Sequence, residues 1–455
     1  MLAGPLPDDD ALPAAVHLAG PRAEPLLRAA IDFVGGRLHS SRPIHIQYRP
    51  GSDVVVRFDS LVSWRGADPV RETLMAATSR DGAPAGTVPV VAEADGRQLA
   101  VGVWRWPFDP FMPALAAMVT PREAAARLGE LVHGPLELAV VAYRPTERAV
   151  VRVIDANGTV LYVKVLPPAR VASLVERHRR LRAAGVPAPL IVAADEHEGW
   201  LAMAELAGDT VRERIKSDAP GWPDADAYLS LLRDLRSTGI ADRRVATRTT
   251  DAVGHAAMLA AVAPDLQSRL DALVDAIEPA IERADARRTA VHGDLHEAQL
   301  VVDGTRIVGL LDVDDAGCGD PLDDLATVLA HLRFRAAVDD RLRTRIGAYA
   351  DELATAFSRE AQALGCDAGE LHIVTAAVLV GLATGPFRIQ RPHWRRDVDR
   401  VLAAAEYEIR CACDPPDERS LSARSSGRHR SPRELTCSIN HEHKDEHNDE
   451  EGVET

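Results

Sequence analysis

The chain has 455 residues, which is enough for two or three hydrophobic cores of ordinary size. Its formal net charge of −15 argues against a general binder of nucleic acid or of anionic membranes, because both partners require a basic surface. No stretch reaches the roughly 20 uninterrupted apolar residues of a membrane span. The first residues lack the features of a signal peptide, and the five scattered cysteines indicate reduced thiols, so a cytoplasmic protein is expected.

An internal repeat occupies the first half of the chain. The pattern Y-R-P-x-x-x-(V/A)-V-V-R begins at Tyr48 and again at Tyr143, 95 residues later. In both copies a proline in a short polar loop separates two β-branched runs, which predicts a β-hairpin. The separation is too long for a solenoid repeat. Two explanations stay open, namely duplication of a β-rich module and chance convergence of two hairpins.

The predicted elements follow this repeat. After the first copy, a strand near 101–106 and two helical stretches over 111–119 and 121–132 are expected. The second copy predicts strands at 138–144, 148–154, 159–166, 190–194 and 200–206, with a helix near 169–184. Beyond Gly208 the pattern is helical up to the tail, except for short strands at 299–302 and 307–311. Residues 414–455 are polar and charged, with almost no large apolar side chains, and they are predicted to form a disordered acidic tail.

One block of the chain carries the residues suited to chemistry. It starts at Val291 and reads VHGDLHEAQLVVDGTRIVGLLDVDDAGCGDPLDDLA. Asp294 lies in a short loop before a predicted strand, Gln299 follows five residues later, and Asp312 ends the next strand. Two carboxylates and an amide oxygen around one hairpin can converge on a hard cation and a hydroxyl nucleophile. Oxygen ligands of this kind suit magnesium.

This block closely resembles the catalytic loop of the aminoglycoside phosphotransferase and choline kinase-like family, which has the protein-kinase-like fold. The resemblance covers roughly residues 136–413 and implies an α+β, bilobal fold with a small antiparallel β lobe, a mostly helical lobe and an extra N-terminal α+β module. It divides the chain into an N-terminal module resembling a degenerate small lobe (1–135), a small nucleotide-binding lobe (136–206), a helical catalytic lobe (207–413) and the tail (414–455).

The resemblance also implies roles for the residues of the block. Asp294 is expected to orient the substrate hydroxyl and accept its proton, as phosphoryl transfer relies mainly on positioning and charge stabilisation. Asp312 would hold magnesium across the β- and γ-phosphates of ATP, and Gln299, where the family usually has asparagine, would be the second metal ligand. His292 and His296 are expected to brace the loop. Asp324 is expected to satisfy the free N–H groups at a helix start.

Upstream, the resemblance places a nucleotide site between the lobes. Lys164, one of only three lysines in the chain, would bind the α/β-phosphates from the third strand of the small lobe. The carbonyl of Ala204 and the N–H of Leu206 would contact adenine. Removing Lys164 is expected to weaken nucleotide positioning more than folding. The carboxylate that usually pairs with this lysine is not identified, because its expected position is Leu174 and Glu176 points away from the apolar stripe of its helix.

The loop between the first two strands of this lobe would cover the phosphates. It runs from Arg144 to Arg148 without a glycine, so its backbone cannot approach the phosphates closely, and one of these two arginines is a candidate to compensate.

The predicted function is transfer of the γ-phosphoryl group of ATP, with Mg²⁺, to a hydroxyl of an aminoglycoside, an amino alcohol or a sugar. No nucleic-acid or membrane partner is expected. Two alternatives stay open. One is a maltokinase-like sugar kinase, since maltokinases also carry an N-terminal cap domain and a glutamine in the loop. The other is a catalytically inactive, pseudokinase-like regulatory protein. No motif identifies the acceptor, although acidic side chains in the helical lobe would favour cationic acceptors.

Overall fold

Two five-stranded antiparallel sheets form the β-rich half of the chain. The computed structural model describes residues 6–94, 96–241, 243–284, 287–367 and 369–413, so the predicted disordered tail lies outside the described residues. The strands are β1 Gly36–Arg49, β2 Asp53–Trp64, β3 Val70–Ser79, β4 Val88–Ala94, β5 Arg97–Arg105, β6 Glu137–Arg144, β7 Arg148–Ile154, β8 Val160–Val165, β9 Ile191–Asp195 and β10 Trp200–Ala204. The strand orders are β1-β2-β3-β5-β4 and β6-β7-β8-β10-β9, so the two sheets share one topology.

The two hairpins of the sequence repeat have the same register. Arg49 pairs with Asp53 across the first loop, and Arg144 pairs with Arg148 across the second. Both loops have three residues, and the middle one has a positive φ. It is Gly51 in the first loop (φ 65°), whereas the second loop has Thr146 (φ 68°). A β-branched residue in this conformation is unusual, so the second loop must be held by other contacts.

An aspartate holds each hairpin loop in the same way. One of its carboxylate oxygens accepts a bond from the repeat tyrosine and a second from the N–H of the residue with positive φ. Asp9 accepts from Tyr48 (2.9 Å) and Gly51 (2.7 Å), and Asp109 accepts from Tyr143 (2.9 Å) and Thr146 (2.9 Å). The repeat is therefore longer than its sequence signature, which favours duplication of a module over chance convergence.

Two helices precede each sheet. They are α1 Ala15–Leu18 and α2 Ala23–Phe33 before β1, and α3 Leu115–Met118 and α4 Pro121–Leu128 before β6. The apolar side chains of α3 and α4 share a core with β7 and β8, so these helices belong to the second sheet. The predicted division at residue 135 remains a prediction. The helix expected over 111–119 was wrong in extent, because Pro113 disfavours helical conformation at the preceding residue.

A helix between β8 and β9, α5 Val171–Ala183, distinguishes the second module from the first. The remaining chain is mostly helical. Its helices are α6 Val211–Lys216, α7 Ala225–Ser237, α8 Arg248–Val262, α9 Gln267–Ala284, α10 Pro321–Val338, α11 Arg343–Ala363, α12 Glu370–Ala383, α13 Gly385–Arg388 and α14 Trp394–Cys413. The predicted α+β, bilobal, kinase-like architecture with an additional N-terminal module is confirmed.

Helix α12 is apolar on all sides. By length and composition alone, the segment Glu370–Arg388 could cross a membrane, but it is mostly buried inside the described fold. Burial on every side is the pattern of a central core helix. It packs against α8, α10 and α14.

Short strands interrupt the helical lobe where the catalytic residues were expected. They are β11 Asp209–Thr210, β12 Thr289–Val291, β13 Leu300–Asp303, β14 Arg306–Leu310 and β15 Gly317–Gly319. Strands β13 and β14 form a hairpin, and β12 pairs with β15. The loop from β12 to β13 and the segment after β14 consequently lie at one edge of the lobe, facing the second sheet.

Candidate functional site

The loop between β12 and β13 is held from below by a buried carboxylate. Asp324 accepts hydrogen bonds from the N–H groups of His292 (2.8 Å) and Gly293 (2.9 Å). Its side chain is almost fully buried on α10. The expectation that Asp324 caps its own helix was wrong. Asp320 is the N-cap, because it precedes Pro321 and accepts from the N–H of Leu322 (3.0 Å).

The carboxylate of Asp294 projects from this loop and is one-third exposed. One oxygen lies 3.5 Å from a guanidinium nitrogen of Arg248, which also donates to the carbonyl of Gly293. The other oxygen lies 3.8 Å from Nε2 of His296. Burial alone would raise the pKa of Asp294, but His296 and Arg248 outweigh this effect and lower it. Asp294 is therefore ionised at neutral pH, as a proton acceptor must be.

Histidines surround this carboxylate. Nδ1 of His292 accepts from the N–H of Asp294 (3.2 Å), and Nε2 of His292 lies 2.9 Å from the carbonyl of Leu311, so His292 braces the loop as expected. The ring of His296 stacks on His331, with centroids 4.2 Å apart. Burial and His331 lower the pKa of His296 to about 3. This ring is therefore neutral at neutral pH, where Arg248 is the positive charge beside the Asp294 carboxylate.

Asp294, His296 and His331 come close enough together to be considered as metal ligands. However, the rings of the two histidines lie nearly parallel, with an angle of 11° between their planes. Stacked rings direct their nitrogen lone pairs side by side rather than at a common point. The two histidines are therefore not oriented to bind one metal ion together with Asp294.

Asp312 follows β14 in a left-handed backbone conformation, with φ 55° and ψ 48°. Its carboxylate accepts from Arg148 (2.5 Å) and Lys164 (3.3 Å), and the amide nitrogen of Gln299 lies 3.4 Å away. Burial would raise the pKa of Asp312, but Lys164 and Arg148 hold it well below its usual range. Strained backbone of this kind is common at functional sites. The structure thus brings all three residues expected at the metal and phosphates together.

A second carboxylate completes this group. Asp314 accepts from Lys164 (2.5 Å) and Arg148 (3.4 Å), and its backbone carbonyl accepts from Arg177 (2.7 Å). Lys164 and Asp314 are each only 4% exposed. We call Arg148, Lys164, Asp312 and Asp314 the charge cluster. It contains two cations and two anions, so each charge is compensated within the site.

The charge cluster identifies the partner of Lys164 that sequence reasoning left open. Leu174, the position expected from the resemblance, lies in the hydrophobic core. Glu176 pairs on the surface with Arg179, at 2.6 Å. Asp314, and not a carboxylate of α5, pairs with Lys164 in the structure. The second aspartate of the L-D-x-D motif was a visible signal for this role, but only the fold shows that it reaches the lysine.

The expected adenine-binding residues lie at the connection between the lobes. Ala204 is the last residue of β10, and Leu206 follows in the linker that leads to β11. Gly309 allows this approach, since a Cβ atom there would lie 2.6 Å from the Leu206 side chain. The contacts of Ala204 and Leu206 with adenine stay a prediction.

The side chains around Asp312 fit a magnesium ion. Two carboxylates and the amide of Gln299 supply only oxygen ligands, which is the donor set that magnesium prefers. The amide of Gln299 directs its nitrogen at Asp312. Turning this amide over would present its oxygen instead.

The chain is similar in fold to solved kinase-like structures. The aminoglycoside phosphotransferase APH(4)-Ia, in a ternary complex with ADP and hygromycin B, is 12% identical and covers 64% of this chain and 98% of its own, with a TM-score of 0.45. A choline/ethanolamine kinase family protein from Mesorhizobium loti is 19% identical and covers 67% of this chain and 99% of its own, with a TM-score of 0.44. An aminoglycoside-3'-phosphotransferase of type VIII is 21% identical, covers 62% of this chain and 98% of its own, and has a TM-score of 0.39. No curated protein matches the chain.

A protein-family comparison gives a match over the part of the chain that contains the site. The family is described as the phosphotransferase enzyme family, and the matched residues are 144–362. They begin in the second hairpin and include every expected catalytic and metal-binding residue. The predicted resemblance is confirmed, because residues 144–362 match the model of the phosphotransferase enzyme family.

Proposed function

We propose that this small-molecule phosphotransferase transfers the γ-phosphoryl group of ATP to a hydroxyl group of its acceptor. The observation that carries the proposal is the charge cluster next to Asp294. Lys164 and Arg148 are fixed in a cleft between two lobes, and the carboxylate oxygens of Asp312 and Asp314 face them. Phosphoryl transfer needs this combination, because its catalysis is mostly positioning and charge stabilisation.

The cavity beside the charge cluster suits a polyphosphate. It has a volume of about 450 Å³, and its lining includes five arginines, at positions 144, 148, 170, 177 and 243, against three carboxylates, at positions 147, 314 and 315. Arg148, one of the two candidates from sequence to replace a glycine-rich cover, points into the cluster. Arg144 is more exposed and lies 4.0 Å from Glu147. Side chains rather than loop backbone would therefore contact the phosphates in this chain.

Lys164 and Arg148 would exchange carboxylate partners for phosphate oxygens when nucleotide binds. Asp312 and Gln299 would hold magnesium, which supplies positive charge across the β- and γ-phosphates when bound. Asp294 would orient the acceptor hydroxyl and take its proton as the oxygen attacks phosphorus. Its ionised state and partial exposure support this role.

The contacts around Asp294 also support its proposed role as the acceptor of the hydroxyl proton. Asp324 fixes the loop backbone from one side, and Arg248 holds the carbonyl of Gly293 from the other. Fixed on both sides, the Asp294 carboxylate is held in one orientation, which is how an enzyme gains rate from positioning. The family match favours neither the maltokinase-like alternative nor the inactive one.

The Asp294→Asn variant tests this proposal. The substitution removes the proton acceptor but keeps the size of the side chain, so ADP release with hydroxylated small molecules should fall by about two to four orders of magnitude. Mg-ATP binding, measured by isothermal titration calorimetry, should match the parent. Asp303→Asn, an exposed aspartate at the end of β13, is the matched control.

Two outcomes would contradict the proposal in different ways. If the parent protein does not bind Mg-ATP, the inactive regulatory alternative takes its place. If Asp294→Asn turns over an acceptor at the parental rate, another residue accepts the proton and the assignment of Asp294 is wrong.

A further inference from the structure

A second cavity lies between the N-terminal module and the helical lobe. Its volume is about 480 Å³, within the range of small-molecule sites. One wall is the β1–β2 hairpin, residues 47–50, and the opposite wall is formed by one face of α8 together with α13. Tyr48 and Met258 supply apolar surface, and Arg248, His255 and Arg388 supply polar groups.

This cavity reaches the proposed proton acceptor through one side chain. Arg248 lines the cavity, and one of its guanidinium nitrogens lies 3.5 Å from the carboxylate of Asp294. A molecule in the cavity can therefore contact the same arginine that contacts the Asp294 carboxylate. The N-terminal module, which carries no lysine, closes the other side of the same space. The N-terminal module thus contributes to the walls of this space.

Positive charge exceeds negative charge in the cavity. Three of its lining residues are arginines, Arg49, Arg248 and Arg388, whereas Asp251 is the one carboxylate among them. Arg49 pairs with Asp53 outside the cavity (2.8 Å), and Arg248 lies 3.7 Å from Asp251. Within the described part of the chain, Arg388 makes no side-chain hydrogen bond or ion pair of this kind. Glu147, which does not line the cavity, is the carboxylate that acts on Arg388 through its charge. The charge of Arg388 is therefore only partly compensated, and a ligand in the cavity can pair with it.

The electrostatics around Arg388 agree with an excess of positive charge. Burial and the charges of Arg144 and Arg49 lower the pKa of Arg388 below its usual value, and together they outweigh the opposite effect of Glu147. Nearby, burial, Arg388 and two further arginines lower the pKa of His45 to about 4. Both groups are thus in a region that disfavours additional positive charge. A polycationic acceptor would meet repulsion here, whereas an anion would be stabilised.

We infer that this cavity binds the acceptor, and that the acceptor is a hydroxylated small molecule bearing one anionic group, which Arg388 pairs with. The inference rests on the proposed function and specifies its substrate class. It departs from the expectation that acidic side chains in the helical lobe would favour a cationic acceptor. The N-terminal module takes part through the β1–β2 hairpin, so residues of this module and of the helical lobe together bind the acceptor.

Binding to a matched series of sugars tests the inference on the full-length protein. Glucose is the neutral member, glucuronate and glucose 6-phosphate carry one anionic group, and glucosamine carries a cation. Titrations with saturating Mg-ADP keep the nucleotide site filled, so that a phosphate-bearing sugar reports on the second cavity. We expect the parent to bind at least one anionic sugar more tightly than glucose, and glucosamine more weakly.

Arg388→Gln should weaken binding of the anionic sugar by about ten- to hundredfold, the range for a lost hydrogen bond to a charged group, and leave glucose binding unchanged. Arg388→Lys should restore much of the affinity. Arg396→Gln, which removes a mostly exposed arginine on α14, is the control and should bind like the parent. In turnover with Mg-ATP, the loss should appear in KM for the anionic sugar and not in KM for ATP.

The inference is overturned if Arg388→Gln binds anionic sugars as the parent does, if glucosamine binds better than they do, or if no member of the series binds. The carboxylate and phosphate arms identify which anion is preferred. Failure of the proposed function would look different. Mg-ADP and Mg-ATP would then not bind, while sugar titrations without nucleotide would still report on Arg388.

Discussion

Replacing Lys164 by methionine should destabilise the ligand-free protein as well as weaken nucleotide binding. The sequence alone favoured an effect mainly on nucleotide, because it gave no partner for this lysine. In the structure Lys164 is 4% exposed and lies 2.5 Å from Asp314 and 3.3 Å from Asp312. Methionine fills a similar volume but leaves the buried Asp314 and the partly buried Asp312 with only Arg148 to neutralise them.

The structure sets the expected size of this effect. Removing one partner of a buried ion pair typically costs about 3–5 kcal/mol. Arg148 remains within 2.5 Å of Asp312 and 3.4 Å of Asp314. We therefore expect a loss of about 2–3 kcal/mol in the free energy of unfolding, slightly below the usual range. Asp314→Asn should cost a similar amount, since it leaves Lys164 with Asp312.

A double-mutant cycle separates this pairing from other effects of the substitutions. The double variant should be less destabilised than the sum of the two single variants, with a coupling free energy of about 2 kcal/mol. Urea unfolding monitored by tryptophan fluorescence measures all four proteins. Lys216→Met, which replaces an exposed lysine on α6, is the control. A coupling below about 0.5 kcal/mol would show that Lys164 and Asp314 do not pair in the ligand-free protein.

Three further predictions concern single side chains. Asp312→Asn should raise the magnesium concentration needed for nucleotide binding, and unchanged Mg-ATP titrations would rule out its metal role. Burial and Asp320 raise the pKa of Asp323 to about 8. Between about pH 4 and pH 8 the folded state therefore holds a proton that the unfolded state releases. The free energy of unfolding should fall as the pH rises through this range, by at most about 1.4 kcal/mol per pH unit. Asp323→Asn should flatten this decline in urea unfolding, and parallel profiles would refute the assignment. Thr146→Gly should stabilise the protein by about 1 kcal/mol through relief of its positive φ, and a loss of stability would contradict this.

Local patterns were enough to predict most of the β-rich elements and the catalytic hairpin. Alternating β-branched runs around a proline loop predict strands, and β6, β7 and β8 begin and end within a residue or two of the expected positions. The carboxylates of the H-G-D and L-D-x-D motifs, Asp294 and Asp312, likewise lie at one edge of the lobe because a hairpin between them fixes their separation. These features depend on residues close together in the chain.

Other features depend on residues far apart, and the sequence could not predict them. Arg148 and Asp314 are 166 residues apart, so no spacing rule links them. Arg248 lies at the start of a helix with no motif around it, yet it contacts the loop of Asp294. Asp9 and Asp109 precede the tyrosines that they bind by more than 30 residues, and only the folded chain brings each onto its loop.

The β1–β2 hairpin touches both lobes, and this has a consequence for how the cleft opens. Gln47 donates to Glu147 of the second hairpin (3.0 Å), and residues 47–50 face α8 and α13 across the second cavity. Two lobes joined only by the linker after β10 could separate by rotation about that linker. Here the β1–β2 hairpin contacts both lobes, so wide rotation requires this hairpin to detach from one of them. Nucleotide and acceptor exchange must then depend on that detachment or on movements small enough to preserve it.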